Sequence, residues 1–509
     1  MADSKREIER KYEATPDTRL PDLTGVAGVA AVAPRGVFEL DAVYYDTDDL
    51  RLAAGSLTLR RRTGGEDAGW HLKFPVRADT RDEIRAPLSD TLPPALASLV
   101  RSRVRGRPVA PAARVLSTRD VHHLLDGNGL LLAEVSIDEV LAERLTARGR
   151  GTTSTWTEIE VELADDGDPA LLDAVGDRLC EAGVRPARSA SKLARALAGT
   201  APREEREQRP GTAAPRTAGD HVLAYLREQA DALVTLDPAV RRDLPDSVHH
   251  MRVATRRLRS ALRTYRAVLG RAATDPVREE LKWLAAELGV DRDREVLDAR
   301  LRSRIAELPG TLVLGPVRAR LDLSSAARRA GARSRVLEAL DSERHLALLE
   351  SLEDLLADPP LRPRAAKAPG KVLPRAVLKE HARLAARVGH ALELPPGPDR
   401  DTALHEARKT AKRVRYAAEA ARPALGKPAK KVAARTKKVQ KALGDHQDSV
   451  VARDALRTLA AQAHGAGESA FTWGLVYGHE EAAAGERERE LPGVWARAAE
   501  PGLRAAQEH

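Results

Sequence analysis

Glu7-Ile8-Glu9-Arg10-Lys11 is the stretch that decides how the first part of this chain reads. Side chains of an extended chain repeat every two residues, so Glu7, Glu9 and Lys11 share one face of the strand they form. Two carboxylates and an ammonium then point together. That grouping suits a hard, oxygen-ligated divalent cation beside a phosphate, with the lysine acting as a point charge. A solvated strand at a sheet edge satisfies the same pattern.

The alternation recurs as far as Leu163. In Ser56–Arg62, Leu57, Leu59 and Arg61 fall on one face and Thr58, Arg60 and Arg62 on the other. Trp70–Phe74 carries Lys73, Arg81-Asp82-Glu83-Ile84-Arg85 alternates charge with smaller residues, and Ser117-Thr118-Arg119 adds an arginine. Acids follow: Glu134 and Asp138 share a face, and Glu158, Glu160 and Glu162 stand opposite Ile159, Val161 and Leu163. Two arrangements satisfy these strands. One is an antiparallel sandwich with solvated charges. The other is a closed barrel whose interior sets bases against acids, because an unpaired enclosed charge is very costly. Closure removes strand edges, and a barrel of about eight strands holds one small ligand.

Glu7-x-Glu9-x-Lys11, Tyr44-Tyr45-Asp46-Thr47, Leu59-Arg60-Arg61-Arg62, Gly69-Trp70-His71-Leu72-Lys73, Ala133-Glu134-Val135, Glu160-Val161-Glu162-Leu163 and Ser191-Lys192-Leu193 together resemble the CYTH, or triphosphate tunnel metalloenzyme, family over residues 3–200. The resemblance implies an eight-stranded antiparallel β tunnel. In it Lys11, Arg60, Arg62, Lys73, Arg119 and Lys192 hold a linear triphosphate, either inorganic tripolyphosphate or an organic triphosphate. Glu7, Glu9, Asp138, Glu160 and Glu162 hold Mg²⁺ or Mn²⁺. The stretch from Tyr44 to Lys73 resembles thiamine triphosphatases, but it is partly shared across the superfamily and does not fix the substrate. The expected chemistry is hydrolysis of a phosphoanhydride, which needs positioning and charge neutralisation more than a covalent helper. Lys73 and Tyr44 are candidate catalytic helpers for water; contact with phosphate alone and packing alone are the respective alternatives.

A chain of 509 residues exceeds the usual reach of one core, so at least two domains are expected. The single cysteine, Cys180, excludes an intramolecular disulfide, and its neighbours Leu179 and Val184 suggest a buried thiol. An N-terminus without an apolar region, and the absence of any stretch long and apolar enough for a membrane span, predict a cytoplasmic protein with no membrane partner. Polar, proline-containing residues 201–217 read as a linker. From Asp220 onward the period becomes helical, which makes the whole chain α+β.

His249, Arg252, Arg256, Arg259 and Arg263 fall at steps of three, four, three and four, one basic stripe along a helix with no acid between its ends. Such a stripe repels itself and calls for acids on neighbouring helices or an external polyanion. His405, Arg408, Lys412 and Arg415 repeat the steps, and Lys282 and Lys438 each follow their histidine by 33 residues. Leu288-Gly289-Val290-Asp291-Arg292-Asp293 then parallels Leu443-Gly444-Asp445-His446-Gln447-Asp448. This is an internal repeat, with its junction at Pro359–Gly370.

These repeats, above all Val248-His249-His250-Met251-Arg252-Val253, resemble the CHAD family over residues 218–500. The resemblance implies an all-α helical bundle of two pseudo-symmetric halves whose His249, Arg252, Arg256, Arg259, Lys282, His405, Arg408, Lys412, Arg415 and Lys438 bind inorganic polyphosphate. Lys427–Lys441 adds further cations, and the protein would associate with polyphosphate granules. In the second copy Lys412 replaces Arg256, which keeps the charge without the bidentate fork and suggests looser binding by that half. Arginines around the histidines oppose a metal there. Aromatics make up 3% of the chain and none interleaves with either stripe, which argues against nucleic acid. Three functions are thus open: a metal-dependent triphosphatase joined to a polyphosphate binder, a non-catalytic polyphosphate-binding protein, and an adenylate cyclase. Oligomeric state has no sequence signal.

Overall fold

A computed structural model describes residues 3–77, 79–146, 149–200 and 214–503. They fall in two compact units, Met1–Thr212 and Ala213–His509. Most of the expected linker, residues 201–213, lies outside the described residues.

The first unit is a closed antiparallel barrel. Its strands are β1 (Asp3–Ala14), β2 (Ala31–Asp46), β3 (Thr58–Thr63), β4 (Gly69–Pro75), β5 (Thr80–Ala86), β6 (Ala110–Leu125), β7 (Leu131–Thr146) and β8 (Gly149–Leu163). They run in the order β5-β4-β3-β2-β6-β7-β8-β1, and β1 closes the circle by pairing with β5 through residues 3–8 and with β8 through residues 9–14. A short β9 (Arg185–Pro186) adds to β1.

Charged side chains can face inward because helices cover the apolar outer faces. Leu172, Val175 and Leu179 of α3 (Ala170–Glu181) pack with Val135, Ile159 and Val161. Leu96, Leu99 and Val100 of α2 (Pro94–Val104) pack with Leu59, Leu72 and Ile84. Leu193, Ala196 and Leu197 of α4 (Lys192–Thr200) pack with Val115 and Val140. Each such side chain taken fully out of water contributes about 1.5–3 kcal/mol. Between strands, Asp46 accepts backbone N–H bonds from Thr47, Leu52 and Ala53 and so anchors the turn holding α1 (Arg51–Ala54). Cys180 corrects the expectation of a buried thiol: the packed face of α3 ends at Leu179, and the next residue points to solvent.

The second unit is helical throughout. Its first half begins with α5 (Ala218–Arg241), whose N-cap Thr217 and Asp220 form a reciprocal capping box. There follow α6 (Ser247–Thr264), α7 (Arg271–Glu287), α8 (Gly289–Ala306), α9 (Val317–Asp341) and α10 (Glu343–Ala357). The second half comprises α11 (Pro369–Glu393), α12 (Pro398–Leu425), α13 (Lys427–Gly465) and α14 (Phe471–Ala496). One core runs through both halves and includes Leu226, Leu258, Leu284, Leu384, Val414 and Val439. The two basic helices, α6 and α12, pack together at its centre, where the Tyr265 hydroxyl donates to the Ala417 carbonyl at 2.7 Å. Among the described residues, no helix is long and apolar enough to cross a membrane.

Candidate functional site

The barrel encloses a cavity of about 430 Å³ lined by Glu7, Glu9 and Lys11 of β1, Tyr44 of β2, Arg60 and Arg62 of β3, Lys73 of β4, Arg119 of β6, Glu160 and Glu162 of β8, and Lys192 at the start of α4. Strand register sets several of these side by side. Lys11 lies opposite Glu160, Arg119 opposite Asp138 and Lys73 opposite Glu83, all pairs of opposite charge. Glu9, however, lies opposite Glu162, and like charges facing one another across strands are destabilising.

Lys11, Arg60, Arg62, Lys73, Arg119 and Lys192 each meet a carboxylate. Lys192 is buried and stands 2.7 Å from each of Asp138, Glu158 and Glu160. Arg119 forks onto both oxygens of Asp138 at 2.7 Å and reaches Glu160 at 2.6 Å, while Lys11 bonds Glu160 and lies 3.3 Å from Glu9. Lys73 sits 2.5 Å from Glu7 and 3.5 Å from Glu83. Arg62 pairs with Asp67, and the Arg60 guanidinium lies 3.5 Å from the Tyr44 hydroxyl. Asp138 is fully buried and does not line the cavity; with both oxygens engaged, it stands behind Arg119 and Lys192.

Electrostatics distinguish the two kinds of group. Burial would raise the Glu160 carboxyl, yet Lys11, Lys192 and Arg119 hold it well below the usual range, and Lys192 and Arg119 lower the Asp138 carboxyl against its own burial. Glu7 behaves oppositely: burial, only partly offset by Lys73 and reinforced by Glu83 and Glu162, pushes it up to about 7. Burial tends to neutralise Lys73, but Glu83, Glu9 and Glu7 outweigh it and keep the ammonium protonated. Burial next to Arg60 and Arg119 lowers Arg62. The buried Nε atoms of Arg60 and Arg62 have no hydrogen-bond partner among the described residues.

These features define what the cage lacks. An anion would satisfy the orphaned arginine nitrogens and relieve the crowding of guanidinium groups. A hard cation suits the carboxylate oxygens of Glu7, Glu9 and Glu162 and would relieve the raised Glu7, in exchange for contacts that Lys73, Lys11, Arg81 and Lys5 now make with them. Asp138, Glu158 and Glu160 also bring oxygens within 4.8 Å of one another, but the Lys192 ammonium already occupies their centre.

Several cavity residues were not singled out from the sequence. Arg81, Glu83 and Arg85 share the inner face of β5, and Glu83, only 1% exposed, meets His71, Lys73 and Arg85. The alternation in Arg81–Arg85 was the available signal. Lys5, 2.6 Å from Glu162, continues the β1 pattern by one further step.

In the helical unit, the sequence-derived positions gather on α6, α7, α12 and α13. Acids on the same or neighbouring helices pair with arginines in and beside the basic stripes. Glu419 lies 3.2 Å from Arg257 and 3.3 Å from Arg415, Arg413 reaches Glu380 at 3.2 Å, and Arg408 reaches Asp448 at 3.1 Å. Burial, then Arg278 and Arg263, lowers Arg259 in spite of Glu279. The His405 pKa is lowered by burial and by Lys409. The repeat is expressed in three dimensions by one contact: Arg252 rests on Gly289 as Arg408 rests on Gly444, where an added Cβ would come within 3.3 and 3.4 Å of the respective guanidinium groups. The side chains of Asp291, Arg292 and Asp293 lie outside the described residues. These paired contacts make Lys437 the counterpart of Lys282, because the second copy is one residue shorter between its two helices. Lys438 is the next residue along, and both are exposed.

The description CYTH domain matches residues 5–197 and the description CHAD domain matches residues 224–457. The chain therefore belongs to the proteins that join a CYTH domain to a CHAD domain, a family whose first domain carries the triphosphate tunnel fold. The Mycobacterium tuberculosis (strain ATCC 25618 / H37Rv) protein named "Uncharacterized protein Rv2226" is 40% identical over 501 residues, 95% of this chain and 94% of that one. Among solved structures, PptA from Streptomyces chartreusis is 24% identical over 55% of this chain and all of its own, with a TM-score of 0.47. The CHAD domain from the plant Ricinus communis is 25% identical over 57% and 92%, with a TM-score of 0.45.

Proposed function

We propose that the tunnel hydrolyses a phosphoanhydride bond of inorganic tripolyphosphate or an organic triphosphate, with Mg²⁺ or Mn²⁺, and that the helical unit binds inorganic polyphosphate. The observation that carries this reading is the enclosed cage in which Arg60 and Arg62 have unpartnered buried nitrogens among the described residues while the carboxylates Glu7, Glu9, Glu160 and Glu162 line the same cavity. Arg60 and Arg62 take phosphate oxygens, and Lys11, Arg119 and Lys192 exchange part of their carboxylate contacts for the rest of the chain of phosphates. Asp138 positions Arg119 and Lys192 for that exchange. Lys73, held protonated, neutralises phosphate charge instead of accepting a proton from water. Tyr44 orients Arg60. Glu7, Glu9, Glu160 and Glu162 would hold the divalent ion, which supplies charge neutralisation and an activated water when bound.

Polyphosphate binding by the helical unit rests on the basic helices α6 and α12 and the lysine-rich face of α13. It would bring the tunnel to polyphosphate granules in the cytoplasm. The test is a panel of tripolyphosphate, thiamine triphosphate, ATP and long-chain polyphosphate, each with Mg²⁺ and Mn²⁺. Metal-dependent orthophosphate release is the expected result. Cyclic AMP with pyrophosphate from ATP would assign a cyclase instead, and retention of polyphosphate without any turnover would assign a binding protein.

A further inference from the structure

The two halves of the helical unit place matching helices alike and charge their outer faces differently. With Gly289 and Gly444 equivalent, Thr274, Val277, Leu281, Leu284 and Leu288 correspond to Ala429, Val432, Thr436, Val439 and Leu443, and all ten are buried. The outward faces in the same register share almost nothing. On α7, Arg278 pairs with Asp275, Lys282 lies 3.1 Å from Glu279, and Glu280 is bonded at 2.6 Å by Arg344, which also covers Trp283 at 4.3 Å. That face is neutralised within the protein. On α13, Lys430 stands where Asp275 does, Ala434 where Glu279 does, Arg435 where Glu280 does and Lys438 where Trp283 does. Lys427, Lys430, Lys431, Lys437, Lys438 and Lys441 are exposed, and none has a carboxylate partner among the described residues.

Their placement links them to the basic stripe of α12. Lys430, Lys437, Lys441, Gly444 and Asp448 recur at steps of seven, four, three and four, one row along α13. Gly444 and Asp448 are where Arg408 docks. Gly426 alone separates the two helices, so α13 runs back antiparallel and brings Lys441 and Lys437 level with Lys412 and Arg415. From Lys430 to Lys441 the row is about 16 Å long at the α-helical rise. Six lysines on one exposed face repel one another, and a linear polyanion relieves that repulsion while releasing its own counterions.

We infer that polyphosphate seats along the seam between α12 and α13, so that the pseudo-symmetric halves bind unequally and the second carries most of the affinity. This rests on the polyphosphate reading above and reverses the expectation that Lys412 makes the second half the looser one. A phosphate chain fits better than a nucleic acid because the one aromatic residue at an equivalent position, Trp283, lies in the neutralised half and is covered by Arg344.

The test compares two triple variants of the full chain with the same loss of charge: Lys430→Ala, Lys437→Ala and Lys441→Ala against Arg271→Ala, Arg278→Ala and Arg344→Ala. Affinity for long-chain polyphosphate is measured across salt, and circular dichroism checks that each variant folds. The second-half triple should bind roughly thirty-fold more weakly, with a salt slope shallower by about 2, and the first-half triple should change affinity less than about threefold. Equal losses, or a larger loss from the first-half triple, would overturn the inference. As a second arm, Asp275→Lys with Glu279→Ala should strengthen binding; no gain despite a folded protein counts against the charge argument. Failure of the parent chain to bind polyphosphate at any salt would remove the underlying reading itself, and equal competition by duplex DNA would remove the choice of polyphosphate as occupant.

Discussion

Lys192 in the tunnel touches three carboxylates, whereas Lys430, Lys437 and Lys441 on α13 touch none among the described residues. Both regions concentrate cations, and the difference follows from enclosure. A charge shut away from water must be paired before a ligand arrives, so the tunnel is assembled from ion pairs that exchange partners. A charge on an open helix keeps its hydration and needs no partner. Under the proposed function, ligand entry into the tunnel would be a swap of carboxylate for phosphate, and binding on the helix would be chiefly release of counterions.

The sharpest way to break this comparison is to remove a cavity-lining carboxylate that meets three cations, Lys11, Arg119 and Lys192. Glu160→Gln should lower metal-dependent turnover by about 100- to 1000-fold with a smaller effect on folding, as judged by kcat beside a thermal melt. Unchanged turnover would take Glu160 out of the site.

Salt separates the two binding modes directly. Raising it from about 50 to about 200 mM should weaken polyphosphate retention on the helical unit by about 10- to 100-fold. The KM for tripolyphosphate should move less than about threefold, since enclosed pairs are screened little. Parallel salt slopes would erase the distinction between exchange and release.

The helical unit has its own enclosed pair, and it sharpens the rule. Glu480 is buried between Arg300 and Arg304, at 2.6 and 2.9 Å, and although burial raises its carboxyl, those partners and Ser449 hold it below the ordinary range. Glu480→Gln should cost about 2 kcal/mol in a denaturant titration. Because the folded carboxyl is depressed, its contribution is complete above the unfolded pKa and disappears as pH falls through the folded one. The variant should therefore lose less stability than the parent on acidification; equal acid sensitivity would mean that Glu480 is not a source of it.

The smallest expected effect concerns the contact that relates the two halves. Gly444→Ala places a methyl against the Arg408 guanidinium and should cost less than about 1 kcal/mol, with a slight loss of polyphosphate affinity. A loss as large as that of the lysine triple would make Arg408, not the lysine row, the centre of binding.

Much of this was legible from periodicity. The inner faces of β1, β3 and β8 follow from strict alternation at Glu7–Lys11, Thr58–Arg62 and Glu158–Glu162, and the stripes on α6 and α12 follow from steps of three and four. Periodicity assigns a face but no partner. That Asp138 would stand behind Arg119 and Lys192, or that Glu83 would serve Lys73, depends on which strands become neighbours. Cys180 was misjudged because one helical step past Leu179 leaves the packed face of α3. Equal separations made Lys438 look equivalent to Lys282, but a shorter connection between α12 and α13 shifts the match to Lys437, which only the docking of Arg408 on Gly444 shows.

By itself, the chain of residues determined the two architectures, their charged faces and the existence of a repeat, because each is written in the local spacing of side chains. Tertiary structure alone decided which charges neutralise one another and which stay open, because electrostatic pairing depends on distances between segments far apart in sequence.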